Sequence, residues 1–222
     1  MKIYSVLTSI HKGIFIYKVY EKMIYKIKQI RAYIYFAITG LKFGLVGSGC
    51  KLKINSNNAV IGKNVNIGDF CWFETVEKYN DCIYKPRLII GENCNFSDAV
   101  HISCVKKITI GAGCLFGSRI YIGDNSHGSY SQNKDIFEEI NISPGTRNLG
   151  NIHEIKIGKN CWIGDGVVIM SGVCIGDGVV IGANSIIKDD VAPYTMVAGI
   201  PAAPKKMYDK QNKCWVSCKL PK

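Results

Sequence analysis

An aliphatic residue or phenylalanine recurs at every sixth position through most of the chain, and this period dominates its hydrophobic pattern. These positions are Ile61, Ile67, Ile90, Phe96, Ile102, Ile110, Phe116, Ile122, Ile157, Ile163, Ile169, Ile175, Ile181 and Ile187. The next position is most often glycine, and small side chains recur at the fifth position of the unit. A period of six matches neither an α-helix, with a period of about 3.6, nor a simple alternating strand.

Each six-residue unit is interpreted as one short strand and a corner, with the first and fifth side chains pointing inward. Three units close a triangular coil of about 18 residues, and stacked coils bury one another's aliphatic columns. Residues 157–174 and 175–192 would each form one complete coil. The pattern predicts an all-β, three-sided parallel β-helix over residues 46–202, with an arm at 1–45 before it and a short tail at 203–222 after it.

The repeat is interrupted at three places. Residues 73–88 form the first interruption, a two-residue slip at Ile108 and Thr109 forms the second, and residues 128–156 form the third and longest. Regular coils hold such a structure together, and excursions from them commonly carry function. The loop at 128–156 directly follows His127, so this end of a coil is the strongest candidate for a functional site.

The arm is predicted to be a basic amphipathic helix. Its apolar side is formed by Ile16, Tyr20, Ile24, Ile27, Ile30 and Ile34, and its basic side by Lys18, Lys22 and Lys26. The uncharged stretch between Arg31 and Lys42 has ten residues, too short to span a membrane. Two roles stay open: the helix caps the open end of the prism, or it lies on anionic lipid.

The net charge is distributed unevenly along the chain. The whole sequence carries +11, and residues 1–42 contain eight lysines and arginines against one glutamate. A basic arm favours peripheral contact of residues 1–42 with an anionic membrane surface over binding to nucleic acid. No cleavable signal peptide is visible, so the expected location is the cytoplasm, with the arm at the inner face of the membrane.

The ten cysteines are scattered and are expected to be reduced. One position of the repeat is shared by Cys71, Cys94, Cys114 and Cys161. This regularity indicates small buried apolar side chains, not bridges or metal ligands. The CxxxC pair near the C-terminus has no nearby histidine, and no metal site is predicted there.

Three motifs resemble the hexapeptide-repeat acyltransferases, with a match over residues 58–206. They are CWIGDG at 161–166, VAGIPA at 197–202 and DNSHG at 124–128. The third, followed by a long loop, is most similar to the O-acetyltransferases of surface polysaccharides. The resemblance implies a left-handed parallel β-helix, a homotrimer, acetyl-CoA in the cleft between neighbouring prisms, and a saccharide acceptor, which would be lipid-linked if the arm binds membrane.

Acetyl transfer to a sugar hydroxyl needs a group that takes the hydroxyl proton, and a neutral imidazole suits this near pH 7. Of the four histidines, only His127 lies at a coil end where a long loop begins. His127 is therefore the predicted general base. Asp124 is a candidate to orient its ring, and a backbone carbonyl is the alternative orienting group.

The resemblance also places residues around the donor and the acceptor. Tyr130 and Arg147 lie in the loop and are candidates to contact the acceptor. A basic residue common after the proline of VAGIPA is replaced by Ala203, so Lys205 or Lys206 is expected to substitute. The residues expected to bind CoA are Trp162, Gly164, Gly182, Ala183, Lys188 and Lys206. A solvated edge for the lysines and a cap on the prism face for the tryptophan are the structural alternatives.

The leading hypothesis is an acetyl-CoA-dependent enzyme that O-acetylates a saccharide of a bacterial surface polysaccharide. An N-acyltransferase acting on an amino-sugar nucleotide would use the same base on an amine. A β-helical carbonic anhydrase would need three histidines on zinc, for which His101, His127 and His153 are available. A non-catalytic scaffold would release no free CoA with any acceptor.

Overall fold

A computed structural model of the chain describes residues 2–130 and 141–218, with side chains described from residue 16 onwards. In these residues the six-residue units form short strands, which build three parallel sheets. The sheets are the faces of a prism with one continuous apolar core. Residues 131–140 of the predicted loop and 219–222 of the predicted tail lie outside the described residues.

The strands are numbered in chain order and fall on three faces. Face A contains β1 (Leu45–Val46), β4 (Asn66–Ile67), β9 (Asn95–Phe96), β12 (Leu115–Phe116), β17 (Trp162–Ile163), β20 (Val180–Ile181) and β22 (Thr195–Gly199). Face B contains β2 (Lys51–Lys53), β5 (Trp72–Thr75), β10 (His101–Cys104), β13 (Tyr121–Gly123), β18 (Val168–Ile169) and β21 (Ile186–Ile187). Face C contains β3 (Ala59–Ile61), β8 (Arg87–Ile90), β11 (Lys107–Ile110), β16 (Ile155–Ile157) and β19 (Cys174–Ile175).

Equivalent positions of successive coils lie directly above one another. Ile163 pairs with Ile181 in parallel β17 and β20, one coil apart as the repeat predicts. The same register holds across the longest interruption, where Leu115 pairs with Trp162. The excursion therefore leaves the prism and returns without shifting the stacking of the coils.

The glycine that follows each aliphatic residue allows one coil to approach the next. A Cβ on Gly158 would lie 2.6 Å from the backbone carbon of Gly176 in the coil above. The left-handed backbone angles at the corners fall on other residues, such as Asn160 at φ 55° and Asn184 at φ 56°. Asparagine tolerates this conformation better than most residues with a side chain.

The repeat cysteines line the interior as predicted. The four side chains are buried with their thiols free: Cys71, Cys94, Cys114 and Cys161. Sγ of Cys114 lies 3.2 Å from the carbonyl oxygen of Gly158 in the next coil. These cysteines therefore act as small core residues.

The arm forms one long helix, α1 (Lys2–Thr39), whose C-terminal part covers the first coil. Ala32 is buried in the core together with Leu41 and Phe43, which follow the helix. The hydroxyl of Tyr35 donates to the carbonyl oxygen of Cys50 at 2.8 Å. This end of α1 caps the prism and closes its core.

The predicted apolar side of the helix packs only in part. Ile24 and Ile27 are half-buried, whereas Ile16, Tyr20 and Ile30 are 66%, 55% and 59% exposed. The core itself is contacted by Ala32 and Tyr35, which lie outside the predicted stripe. The correction has a simple cause, since apolar residues occur on every side of α1 and no single stripe is distinctive. In the described part of the chain, no helix is long and apolar enough to cross a membrane.

The tail forms a hairpin that extends face A. Strands β23 (Ala202–Asp209) and β24 (Cys214–Ser217) continue the sheet from β22 with antiparallel pairing. The sequence predicted only a short tail at 203–222, without its strands. Its strands lack the six-residue repeat, so the repeat carried no signal for them.

Candidate active site

Two interruptions of the repeat meet beside His127. Between β5 and β8 the chain forms a hairpin of β6 (Lys78–Tyr79) and β7 (Cys82–Ile83). In the later loop, β14 (Ser126–His127) pairs antiparallel with β15 (Leu149–Gly150), and a short 3-10 helix spans Pro144–Thr146. The side-chain amide of Asn80 on the hairpin donates to the carbonyl oxygen of Thr146 at 3.0 Å. The base of the loop is thus closed and fastened to the hairpin.

The His127 side chain is exposed and contacts Tyr79 of the hairpin. The hydroxyl oxygen of Tyr79 is 3.2 Å from Nδ1 of His127, and it donates to the carbonyl oxygen of Gly145 at 2.8 Å. Among the described residues, Tyr79 alone hydrogen-bonds this ring. No role was predicted for Tyr79, and the sequence signal for it was the interruption of the repeat at residues 73–88.

Asp124 does not orient His127, contrary to the sequence-based hypothesis. Its carboxylate is fully buried and accepts hydrogen bonds from the backbone N–H groups of Val105, Lys106 and Lys107 at 2.7, 2.8 and 2.8 Å. A buried carboxylate needs several donors, and this turn of the preceding coil supplies them. Asp124 therefore fixes the point at which the chain leaves the prism.

The two predicted acceptor residues lie close to His127 and contact each other. The hydroxyl of Tyr130 donates to the backbone carbonyl of His127 at 2.9 Å, and Nη1 of Arg147 lies 3.4 Å from that hydroxyl oxygen. Nη2 of Arg147 also donates to the carbonyl oxygen of Ile142 at 3.0 Å. Tyr130 is exposed, so it remains accessible to an acceptor beside the imidazole.

A groove of about 410 Å³ runs along the outer side of face A over the last coils. Its lining includes four of the six residues predicted to bind CoA, namely Trp162, Gly164, Gly182 and Ala183. Small residues keep the groove open, since a Cβ on Gly182 would come within 2.9 Å of the side chain of Ala198. The lining is mostly apolar, and its charged members are Asp165 and Lys205.

The two predicted lysines lie outside this groove, and Lys205 lines it instead. An irregularity between Met196 and Val197 shifts the pairing of β22 with β23, which places Lys205 at a bulge. Nζ of Lys188 pairs with Asp189 at 2.8 Å and borders a neighbouring cavity of about 310 Å³. The bulge brings Lys205 to the groove in place of Lys206, and sequence spacing does not reveal it.

The three histidines that a zinc site would need have different surroundings. The ring of His101 stacks on Trp72 with centroids 4.4 Å apart, and its Nε2 is 3.7 Å from Glu74. Burial lowers the pKa of His101. His127 contacts Tyr79, and His153 is exposed near Ser171. Over the described ranges, no three His, Cys, Asp or Glu side chains form a group that could hold a metal ion.

Comparisons with known proteins agree with this architecture. The family model "Bacterial transferase hexapeptide (six repeats)" matches residues 154–189. WbbJ of Escherichia coli K12, whose name assigns it to O-acetyl transfer in lipopolysaccharide biosynthesis, is 35% identical over 135 residues, covering 61% of this chain and 68% of WbbJ. The dTDP-4-amino-4,6-dideoxy-D-glucose acyltransferase of Escherichia coli is 30% identical over 177 residues, covering 73% of this chain and 81% of that protein.

A solved structure supports the same fold. AntD, an N-acyltransferase from Bacillus cereus in complex with dTDP and 3-hydroxybutyryl-CoA, superposes with a TM-score of 0.57 at 21% identity, covering 76% of this chain and 81% of AntD. The predicted left-handed parallel β-helix is therefore confirmed. With a repeat that matches the family model and two relatives aligned over most of their length, the chain belongs to the hexapeptide-repeat acyltransferases.

Proposed function

We propose that this enzyme transfers an acetyl group from acetyl-CoA to a hydroxyl of a saccharide that enters a bacterial surface polysaccharide, with His127 as general base. The observation that carries this proposal is the exposed imidazole of His127, held between two excursions of an otherwise regular prism. The similarity to WbbJ supports a saccharide hydroxyl as the acceptor.

In the proposed reaction, the hydroxyl oxygen attacks the thioester carbonyl carbon while Nε2 of His127 takes the hydroxyl proton. The tetrahedral intermediate then collapses, the carbon–sulfur bond breaks, and the imidazolium returns the proton to the departing CoA sulfur. Direct attack needs positioning and a base, and no covalent acyl-enzyme. Tyr130 and Arg147 would contact the acceptor beside the histidine.

Transfer to an amine is the second candidate. The dTDP-amino-sugar acyltransferase is similar over 81% of its length, and the same imidazole would take a proton from an attacking amine. The chemistry of the base does not distinguish the two acceptors. The acceptor is therefore tested directly.

Acetyl-CoA is proposed to lie along the groove of face A, with its phosphates near Lys205. His127 follows β13 of face B, so the groove and the base belong to different faces of one prism. A homotrimer resolves this separation, because threefold packing brings the groove of one subunit against the histidine of its neighbour. This trimer is part of the proposal.

The exposed part of α1 is proposed to bind the anionic inner surface of the membrane. Ile16, Tyr17 and Tyr20 are each more than half exposed, and Lys18 and Lys22 lie exposed among them. Aromatic and aliphatic side chains interleaved with lysines suit the boundary between lipid headgroups and acyl chains. Such contact would keep the enzyme beside a lipid-linked saccharide, on the cytoplasmic side proposed for it.

The function is tested by release of free thiol from acetyl-CoA across a panel of sugars, lipid-linked glycans and amino-sugar nucleotides. With its acceptor, His127→Ala should lower turnover by roughly 10²–10⁴-fold, since it removes general-base catalysis. His153→Ala is the matched control, because His153 is also an exposed histidine at the base of the loop, whereas among the described residues the Tyr79 hydroxyl bonds His127 and Gly145.

Thiol release only with amino sugars would support the second candidate. Full activity of His127→Ala would remove this residue from the mechanism. Absence of thiol release with every acceptor would favour a non-catalytic scaffold.

A further inference from the structure

Tyr79 lies beside the proposed base although it comes from the other interruption of the repeat. Its ring meets that of His127 edge to face, with centroids 5.3 Å apart. Its hydroxyl oxygen is 3.2 Å from Nδ1 of His127 and 2.8 Å from the carbonyl oxygen of Gly145. One hydroxyl group therefore makes both contacts.

The direction in which the Tyr79 hydroxyl donates its single proton determines which ring nitrogen of His127 is protonated. The carbonyl oxygen of Gly145 can only accept, so the hydroxyl proton is donated to it. The hydroxyl oxygen then presents a lone pair to Nδ1 of His127. Two facing lone pairs would repel each other, so Nδ1 must carry a proton and donate it. In the neutral ring, this leaves the free lone pair on Nε2.

We propose that Tyr79 is a positioning residue that holds neutral His127 in the tautomer protonated on Nδ1. This inference rests on the proposed function, in which Nε2 takes the acceptor proton. A ring in the other tautomer would present an N–H group on Nε2 and accept nothing. Tyr79 therefore acts through His127, by selecting the tautomer that works as a base.

The surroundings of Tyr79 make this selection firm. Tyr79 pairs with Cys82 in the hairpin, and the adjacent Asn80 is hydrogen-bonded to the backbone of Thr146. Both the tyrosine and its carbonyl partner are thus held by ordered backbone. Carboxylates often orient a histidine ring in this way. The carboxylate of Asp124 is instead hydrogen-bonded to backbone N–H groups.

The test combines 15N NMR of the histidine ring with kinetics for wild type, Tyr79→Phe and Tyr84→Phe. The phenylalanine at 79 keeps the ring contact and removes only the hydroxyl, and Tyr84→Phe removes a hydroxyl from the same excursion. Signals of His127 are assigned by their loss in His127→Ala. Spectra are recorded at about pH 8, where imidazole is ordinarily neutral, since protonated and unprotonated ring nitrogens then resonate far apart.

Wild type and Tyr84→Phe should show Nδ1 protonated and Nε2 unprotonated, and Tyr79→Phe should show a mixture of tautomers. Its kcat should fall on the order of tenfold, with the KM for acetyl-CoA unchanged. A wild-type ring protonated on Nε2, or an unchanged spectrum in Tyr79→Phe, overturns the inference. A wild type with the expected tautomer but no acetyl transfer supports the inference and contradicts the proposed function.

Discussion

The buried carboxylate of Asp124 holds together the turn from which the His127 segment departs. The carboxylate accepts three hydrogen bonds from backbone N–H groups of the preceding coil. The backbone carbonyl oxygen of Asp124 accepts another from the backbone N–H of His153 at 3.2 Å. Both ends of the loop are therefore fixed at one residue. The position of the base depends on this junction as much as on the loop itself.

Replacing Asp124 with Ala should destabilise the protein strongly. The buried N–H group of Val105 would lose its acceptor, at a cost of roughly 1–3 kcal/mol, and the N–H groups of Lys106 and Lys107 would lose theirs as well. We expect the urea midpoint, measured at fixed protein concentration, to fall well below that of wild type.

The control is Asp190→Ala. It removes an exposed carboxylate that accepts one hydrogen bond, from the backbone N–H of Cys174 at 2.7 Å. It should shift the midpoint only slightly. If Asp124→Ala kept wild-type stability and lost only turnover, its carboxylate would be orienting His127 after all.

For single residues, the sequence predicts which side chains have suitable chemistry better than it predicts where those side chains point. His127 could be singled out as the candidate base because a motif and a break in the repeat coincide there. Tyr79 could not, since it lies 48 residues earlier in a segment without periodicity. A bulge places Lys205 and not Lys206 at the groove of face A. The carboxylate of Asp124 binds backbone N–H groups instead of the histidine.

Among the secondary-structure elements, the strands of the prism were the most predictable. Each strand is short and identical in role, so one six-residue pattern specifies both its inward side chains and its register with the next coil. The hairpin β6–β7 and the tail strands β23 and β24 have no such pattern. They pair antiparallel with strands next to them in the sequence, and the six-residue period does not report such hairpins.

Helix α1 was predicted as an element but not by its packed side. Its C-terminal end buries Ala32 on the first coil, while most apolar side chains nearer the N-terminus stay exposed. A helix with apolar residues all round is usually covered by something. Lysines among these residues favour an anionic membrane as that cover.

Replacing Lys18, Lys22 and Lys26 together with Gln should weaken binding to vesicles that contain phosphatidylglycerol. Each lysine near an anionic surface contributes about 1 kcal/mol, so the triple variant should lose on the order of 100-fold in affinity. Flotation of the full chain with vesicles of defined composition measures the difference.

The control is the triple replacement of Lys63, Lys156 and Lys159 with Gln, which removes the same charge from the body of the prism. It should float like wild type, and neither protein should bind vesicles of phosphatidylcholine alone. Equal loss of binding in both triple variants would contradict a specific role for the arm.

On the scale of the whole molecule, the groove of face A and His127 lie on separate faces of the prism. If neighbouring subunits complete each site, two inactive variants should restore each other. One variant, Ala183→Tyr, fills the groove at an exposed position, and the other, His127→Ala, lacks the base. A mixed trimer then contains one pair of intact halves, and about one third of wild-type activity is expected per trimer.

Mixed trimers are isolated through two different affinity tags and assayed beside each unmixed variant. Both unmixed proteins should elute as wild type in gel filtration and remain inactive. Mixed trimers without activity would place the groove and His127 of each site within one subunit.

The loop between β14 and β16 returns to the prism in phase, since Leu115 stacks on Trp162 as Trp162 stacks on Val180. The length of the loop therefore does not affect how the coils on either side of it stack. Residues can therefore be inserted into this loop, lost from it or exchanged while the groove of face A keeps its shape. Such a frame would allow the acceptor to change through one replaceable segment, without any rebuilding of the coils.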